Sequence, residues 1–182
     1  MFKFKINSFR RCDYAFTIVE LLVVIVVIGI LAAITIVAYS GIQDRSRTAK
    51  MRSDIASLNQ AIVLARNQTG TVLGAITGSF SSAAACIIKA SGTDLAALPH
   101  DTDGCWVTYA STLNLISNAA GVNIRNLVDP YGRPYFIDEN ENEGGPSNCA
   151  KDTIGAFQQP FVTGWARMVG TEVDVVNSAR GC

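Results

Sequence analysis

The chain has 182 residues, with 15 Lys and Arg against 15 Asp and Glu, so its formal net charge is zero. This balance gives no support to a protein whose main task is to bind nucleic acid. Only one histidine is present, His100, which excludes any site built from several histidines. Hydrophobic residues make up 49% and charged residues 16%, a composition too apolar for a disordered chain. We therefore expect one folded domain, alone or with an apolar extension.

The excess of apolar residues lies in one segment. Residues 21–38 are 18 consecutive residues without a charge. Because about 20 apolar helical residues cross a bilayer core, this segment predicts one transmembrane helix. Residues 1–15 carry four basic residues and one acid, and residues 41–54 carry four basic residues and two acids. This difference orients the span only weakly, and we place the N-terminus in the cytosol and residues 41–182 outside.

Three interpretations of this segment compete: a single-span anchor, a secretory signal cleaved after Ser40, and a helix that carries a functional acid. The apolar part of 17 residues, 21–37, is longer than the ~7–15 residues usual in a secretory signal. Glu20 lies at the edge of the apolar run, where an acid costs free energy and marks a functional site. A plain anchor gives no reason for this acid, so the third interpretation is favoured.

The residues around Glu20 resemble the N-terminus of a known family. Residues 15–22 read AFTIVELL and are followed by an apolar run to Tyr39. This pattern resembles that of the type IV pilins and the related pseudopilins. The resemblance implies that a prepilin peptidase cuts between Ala15 and Phe16 and then methylates the new amino group of Phe16. The sequence departs from the family in having Ala15 in place of the usual glycine and Val37 in place of a proline common late in the span.

The resemblance gives Glu20 a role in assembly. The amine exposed on Phe16 by cleavage is mostly protonated at pH 7, and N-methylation keeps its charge. A carboxylate among packed apolar helices is costly unless a cation neutralises it. We therefore expect Glu20 to pair with the N-terminus of a neighbouring subunit, setting the register of assembly more than adding stability.

The partners follow from the same resemblance. It implies copies of the chain itself in a homopolymeric filament, the prepilin peptidase, a cytosolic assembly ATPase and a polytopic platform protein. Membrane lipid holds the precursor before assembly, and binding of nucleic acid stays open. The expected location is the cytoplasmic membrane as a single-pass precursor, and the cell surface or an extracellular filament after assembly.

The sequence predicts an α+β fold in which a long N-terminal helix packs on a small antiparallel sheet. We divide it into a leader (1–15), a transmembrane and assembly helix (16–40), an amphipathic stalk helix (41–70) and a globular head (71–182). Spacings of three and four residues predict the packing face of the stalk. That face comprises Met51, Ile55, Leu58, Ile62 and Ala65.

Within the head, the predicted elements follow a loop at residues 71–82. One uninterrupted helix over residues 16–67, ended by Gly70, precedes that loop. Strands are predicted over four segments and a short helix over residues 113–120. The strand segments are 105–109, 135–137, 165–169 and 173–176.

Residues 129–135, DPYGRPY, combine turn chemistry with a second resemblance. They resemble a segment of the major pseudopilins of type II secretion, relatives that bind calcium in a nearby loop. The oxygen-rich residues here are Asp138, Asn140, Glu141 and Asn142. They do not follow the spacing of an EF-hand. Calcium binding and a solvated acidic turn are both kept as interpretations, and no other cofactor is expected.

Five cysteines are an odd number for an exported chain. Removal of the leader takes away Cys12 and leaves four. We predict the disulfides Cys86–Cys105 and Cys149–Cys182, which join sequence neighbours, while crossed pairing stays open.

No sequence pattern indicates an enzyme. The motifs GxSxG, HExxH, Walker A and GxGxxG do not occur. We therefore expect a structural subunit of a type IV pilus. The alternatives are a pseudopilin of a type II secretion or competence system and a membrane-tethered binding or enzymatic domain that keeps its leader.

Overall fold

The computed structural model of the chain describes residues 17–79, 81–140, 150–165 and 167–172. In chain order they form five helices and three strands. The helices are α1 (Ile18–Thr69), α2 (Leu73–Thr77), α3 (Ala84–Ile87), a 3₁₀ turn (Leu95–Ala97) and α4 (Gly104–Ala120), and the strands are β1 (Tyr135–Asp138), β2 (Thr153–Phe157) and β3 (Arg167–Glu172).

The chain divides into two compact units, one ending at Asp44 and one beginning at Arg45. In the first unit, the described residues form the apolar start of α1. Within the described part of the chain, Ile18–Thr35 is the one helical window long and apolar enough to cross a membrane. Its large apolar side chains are all exposed, from 48% at Val27 to 86% at Ile18. No face of this window is covered by the chain itself.

Helix α1 is continuous over 52 residues, which confirms the prediction of one long helix. It ends two residues later than predicted. Gly70 adopts a left-handed backbone with φ +67°, and its N–H donates to the carbonyl of Arg66 at 2.8 Å. This is the glycine C-cap that the sequence predicted.

The second unit buries one face of α1, and the predicted stripe is confirmed. Every member of the stripe is at most 5% exposed. These side chains share a core with apolar residues of α4 and of strands β1 and β2. The stripe comprises Met51, Ile55, Leu58, Ile62 and Ala65. Burial of a single face explains why spacing alone located it.

The strand prediction for residues 105–109 is wrong, because these residues form the first turns of α4. Asp103 is its N-cap, and its Oδ1 accepts a hydrogen bond from the Cys105 N–H at 2.9 Å. The β-forming side chains of this segment suggested a strand, whereas their burial follows a helical period. The buried positions of α4 are Cys105, Trp106, Tyr109, Thr112, Leu113, Ile116, Ser117 and Ala120.

The three strands form one antiparallel sheet in the order β1-β2-β3. Tyr135 pairs with Ala156, and Ile154 pairs with Thr171. The strand predicted at 135–137 is confirmed as β1. The strand predicted at 165–169 instead runs over Arg167–Glu172, and the one predicted at 173–176 lies outside the described residues.

Two further elements differ from the sequence prediction. Strand β2 was not predicted, because its five residues include Gly155 and Ala156, which have low strand propensity. The predicted loop at 71–82 contains the short helix α2, which Gly78 ends at φ +71°. The α+β class with a long N-terminal helix and a small antiparallel sheet is nevertheless confirmed.

Candidate functional site

The candidate site begins where α1 begins, at Thr17 and Glu20. Glu20 Oε2 accepts hydrogen bonds from the Thr17 backbone N–H at 3.1 Å and from the Thr17 hydroxyl at 3.0 Å. In return, the backbone N–H of Glu20 donates to Thr17 Oγ1 at 3.2 Å. This reciprocal arrangement is a capping box, in which two side chains satisfy N–H groups that have no partner inside the helix.

The capping box is a function of Glu20 that the sequence analysis missed. Its signal was present, since Thr17 precedes Glu20 by three residues at the start of an apolar helix. Both hydrogen bonds end on Oε2. Among the described residues, no hydrogen bond to Oε1 is found. Within the described residues, Thr17 therefore engages the Oε2 atom of Glu20.

The predicted cleavage position, between Ala15 and Phe16, immediately precedes the capping box in the sequence. Ala15 and Phe16 lie outside the described residues, as does the whole leader. Cleavage, methylation of Phe16 and pairing of its amine with Glu20 therefore stay predictions.

The segment that resembles pseudopilins is organised around a buried ion pair. Arg133 is 1% exposed and Asp129 2% exposed. Asp129 Oδ2 accepts from Arg133 Nε at 2.8 Å and from Nη2 at 2.6 Å. Asp129 Oδ1 accepts from the backbone N–H groups of Tyr131 and Arg133 at 2.8 and 2.9 Å. One carboxylate thus closes the turn and neutralises the guanidinium inside it.

The remaining donors of Arg133 connect this turn to the end of β2. Nη1 donates to the Gln158 carbonyl at 2.7 Å and to Gln159 Oε1 at 2.6 Å, and Nη2 donates to the Phe157 carbonyl at 3.0 Å. The guanidinium also lies 4.9 Å from the ring centre of Tyr131. Since all five N–H groups of Arg133 have protein acceptors, we assign it a structural role.

A second group of polar contacts joins the stalk part of α1 to β1. The Tyr135 hydroxyl donates to Asp54 Oδ2 at 2.6 Å, and Lys50 Nζ lies 2.5 Å from the same oxygen. Burial and this hydrogen bond raise the pKa of the Tyr135 phenol above its ordinary value. Arg47 stacks on Tyr131 at 5.2 Å from the ring centre. Two of the four basic residues that follow the span are therefore used to hold the head.

The predicted calcium ligands are only partly described. Asp138 is buried in β1, and Asn140 Nδ2 donates to the Lys151 carbonyl at 3.1 Å. Glu141 and Asn142 lie outside the described residues. Among the residues that are described, no group of three or more His, Cys, Asp or Glu is placed to hold a metal ion. Calcium binding stays a prediction.

Between the first two of these residues lies a fully buried acid, Glu139. Its Oε2 accepts from the Ser82 backbone N–H at 2.7 Å, its Oε1 accepts from the Ser82 hydroxyl, and Thr112 donates to that hydroxyl at 2.8 Å. Burial raises the pKa of Glu139 to about 7, although the hydrogen bonds from Ser82 act in the opposite direction. Glu139 has no ion-pair partner among the described residues.

The disulfide Cys86–Cys105 is confirmed. It joins α3 to the first turn of α4 across a Cα–Cα distance of 4.6 Å. Beside it, Lys89 Nζ lies 2.6 Å from Asp103 Oδ2, so an ion pair connects the same two segments. Cys149 and Cys182, the other predicted pair, lie outside the described residues.

Comparison with known proteins gives one match to the N-terminal segment and one match to most of the chain. A family model for the prokaryotic N-terminal methylation motif matches residues 10–36. The chain is similar to the type IV major fimbrial protein FimA of Dichelobacter nodosus, with 26% identity over 165 residues. That match covers 82% of this chain and 95% of the relative. No solved structure matches the chain.

The two matches differ in how much of the chain they cover. The motif contains the predicted cleavage position, the capping box and the whole apolar window, whereas the fimbrial relative extends over the head as well. The resemblance stated from residues 15–22 is thereby confirmed. The chain matches the N-terminal methylation motif over residues 10–36 and is similar, over 82% of its length, to a type IV fimbrial protein.

Proposed function

We propose that this chain is the structural subunit of a type IV pilus, made as a membrane-inserted precursor and polymerised through its apolar N-terminal helix. The single observation that supports this most strongly is an uncovered apolar helix whose first turn carries an acid. The fimbrial relative supports the same assignment over the head. The role is structural rather than catalytic.

The apolar window must find a non-aqueous environment. Its large side chains, from Ile18 to Ile34, are exposed along the whole segment. At roughly 25 cal/mol per Å², such a surface does not remain in water. Lipid covers it in the precursor, and equivalent helices of other copies cover it in the filament. Because lipid and packed helices are similarly apolar, the transfer is near neutral and needs external work. We assign that work to a cytosolic ATPase acting through a platform protein.

Maturation precedes assembly in this proposal. The prepilin peptidase removes residues 1–15, and methylation of the Phe16 amine follows. Residues 16–40 then form the assembly helix, 41–70 the stalk and 71–182 the head. Mass spectrometry of the mature chain checks this step, since it distinguishes a methylated Phe16 from an intact Met1.

Glu20 contributes its charge to this assembly. The charged amine of one copy neutralises the carboxylate of the next, and staggers that leave either charge unmatched are penalised. The capping box makes the test sharper, because Gln is also a good residue at this position of the box. Glu20→Gln therefore keeps the helix cap and removes the charge, whereas Glu20→Ala removes both.

We expect both variants to insert in the membrane and to give at least about tenfold less sheared filament, as loss of a charge pair implies. Filament yield is measured by electron microscopy and by quantifying the sheared fraction. Insertion is checked by resistance to carbonate extraction. A normal yield from Glu20→Gln, with only Glu20→Ala defective, would show that the cap and not the charge matters.

A pseudopilin of a type II secretion or competence system is the second candidate function. The turn at residues 129–135, with its buried pair Asp129–Arg133, favours it because the sequence of this turn resembles that of major pseudopilins. Absence of surface filaments, together with a secretion or DNA-uptake defect in cells lacking the chain, would support this alternative. Heat release on titration with Ca²⁺ would support it further.

A further inference from the structure

A cavity of about 280 Å³ lies on the head, beside the turn at residues 129–133. It is lined by two residues of that turn, by residues 92–94 and by residues 159–161. Asp94 and Gln159 are exposed, so the cavity opens to solvent at its rim. Because pockets for drug-sized ligands typically measure about 300–1,000 Å³, this cavity has the size for a smaller ligand, such as a single six-membered ring.

The walls of this cavity are tied to one another by hydrogen bonds. Arg133 Nη1 donates to Gln159 Oε1 at 2.6 Å, which joins the turn to residues 159–161. The Gly92 N–H donates to the Phe161 carbonyl at 2.8 Å, which joins the other two segments. A ligand therefore meets segments that are already fixed, and this lowers the entropic cost of binding.

Three polar groups in the lining have hydrogen-bonding capacity that the described part of the chain does not use. Asp94 caps the 3₁₀ turn with Oδ1, and Oδ2 accepts no hydrogen bond there. The Tyr131 hydroxyl has no partner among the described residues. Gln159 uses Oε1 in the contact given above, whereas its Nε2 donates to none of them. The cavity thus offers an acceptor, a hydroxyl and an amide donor, beside the apolar rings of Pro160 and Phe161.

Charge and polarity decide between classes of ligand. An anion would meet the carboxylate of Asp94, and Arg133 has no spare N–H for it because all five have protein acceptors. The ring of Tyr131 would attract an organic cation, but the guanidiniums of Arg47 and Arg133 already lie 5.2 and 4.9 Å from its centre. A purely apolar ligand would take water from the three polar groups without replacing their hydrogen bonds. These contacts favour a neutral molecule with several hydroxyl groups.

We propose that this cavity binds a single ring of a neutral carbohydrate. The hydroxyl groups of a sugar both donate and accept, so they satisfy the Asp94 carboxylate, the Tyr131 hydroxyl and the Gln159 amide together. The C–H face of the sugar covers apolar surface, here that of Pro160 and Phe161. The site involves no residue of the apolar window, so this inference goes beyond the proposed function.

The test uses the full-length chain in micelles of a detergent that carries no sugar. The neutral probes are the methyl glycosides of glucose, galactose, mannose and N-acetylglucosamine. Glucosamine and glucuronate are the charged comparisons, since each keeps the ring and adds a positive or a negative charge. Binding is measured by saturation-transfer NMR, which detects the millimolar dissociation constants expected for so small a ligand.

Three variants each remove one polar group and keep its structural contact. Asp94→Asn keeps the cap, since asparagine caps as well as aspartate does, but loses the carboxylate. Tyr131→Phe keeps the ring and loses the hydroxyl. Gln159→Glu keeps the acceptor for Arg133 and loses the amide donor. Asp101→Asn is the matched control, because Asp101 is exposed and does not line the cavity.

We expect at least one neutral glycoside to bind, and all neutral glycosides that bind to do so more tightly than the two charged sugars. Its binding should weaken about tenfold in Asp94→Asn and about fivefold in Tyr131→Phe and Gln159→Glu, as the loss of one hydrogen bond implies. Binding in Asp101→Asn should be unchanged. Denaturant unfolding establishes that each variant is folded.

Three results would overturn the inference. The first is no saturation transfer to any of the four neutral glycosides. The second is binding that none of the three cavity variants weakens, or that Asp101→Asn weakens equally, because the sugar would then bind elsewhere. The third is tighter binding of glucosamine or glucuronate, which would contradict a neutral ligand. None of these results bears on filament assembly, so the proposed function is tested separately.

Discussion

Helix α1 runs through both units of the chain, but its apolar side chains are exposed in the first unit and buried along one face in the second. From Ile18 to Thr35, α1 is apolar on all sides, and none of its described side chains up to Asp44 is buried. From Arg45 on, α1 is amphipathic, and its apolar stripe is buried in the core of its own unit. A helix that is apolar all round depends on an external partner, whereas an amphipathic helix is satisfied by its own chain. In the proposed function, assembly therefore depends on the part of α1 up to Asp44, whereas the described core that stabilises the fold lies after it.

This comparison predicts that disrupting the core of the head changes its stability and leaves membrane insertion intact. The following variants test it with the full-length protein in detergent. Each is followed by denaturant unfolding monitored through tryptophan fluorescence, and by carbonate extraction of membranes.

The largest effect is expected for Arg133→Ala. This change leaves the buried carboxylate of Asp129 without its cation, and breaking such a pair typically costs about 3–5 kcal/mol of unfolding free energy. Arg125→Ala is the matched control, because Arg125 is exposed and its guanidinium contacts only Asn118 among the described side chains. Equal stability of the two variants would contradict the structural role of Arg133.

The second largest effect on unfolding free energy is expected from removing the disulfide Cys86–Cys105. Replacing Cys86 and Cys105 together by serine opens a loop with a sequence separation of 19 residues, for which the chain-entropy model gives about 3 kcal/mol. The head should unfold at lower denaturant concentration, while extraction behaviour is unchanged. Reduction of the unaltered protein serves as the comparison, and an unchanged midpoint in both would argue against this bridge as a source of stability.

The buried acid Glu139 predicts a pH dependence. Its pKa rises from an ordinary value of 4.5 to about 7 on folding, so the unfolded chain ionises first as the pH rises. The stabilisation is present below pH 4.5 and is lost as the pH approaches 7. Between pH 5 and pH 8 we expect a loss of about 2–3 kcal/mol of unfolding free energy.

Glu139→Gln is the matched control for this pH dependence. The amide keeps the size of the side chain but does not titrate, so the stability curve should become flatter over the same pH range. A slope that persists unchanged in Glu139→Gln would assign the effect to another group.

The smallest effect is expected at the start of α4. The hydrogen-bonded ion pair between Lys89 and Asp103 Oδ2 is the main cause that lowers the pKa of Asp103. The other carboxylate oxygen of Asp103, Oδ1, accepts a hydrogen bond from the Cys105 N–H and caps α4. Asp103→Ala should cost about 1 kcal/mol of unfolding free energy, the usual value of an N-cap. Asp103→Asn should cost less, because asparagine caps as well and only the ion pair is lost. If both variants were equal, the cap would carry none of the effect.

Much of this architecture could be predicted where one physical pattern dominates. The uncharged run and the stalk stripe fix α1, since no other element fits their length and spacing. Cys86–Cys105 was favoured because it joins cysteines that are neighbours in the sequence, although crossed pairing stayed open. Strand β1 was predicted from a run of aromatic and β-branched residues. These signals are local and do not depend on distant contacts.

The rest depends on contacts that sequence spacing does not show. Residues 105–109 have β propensity, but Asp103 caps them into a helix whose face meets α1 and the sheet. Strand β2 exists because its backbone pairs on both sides, not because Gly155 favours a strand. Only the folded chain reveals that all the N–H donors of Arg133 are used. The spacing of Thr17 and Glu20 was sufficient to predict the capping box, but Glu20 was interpreted only as a residue of assembly.

The boundary after Asp44 has a practical consequence for handling the protein. A shortened chain that starts at Arg45 would lack the apolar window Ile18–Thr35. It would keep the stripe from Met51 to Ala65 and the core residues of α4, β1 and β2 on which the stripe packs. Such a fragment is expected to dissolve in plain buffer, which makes crystallisation and solution spectroscopy of the head accessible without surfactant.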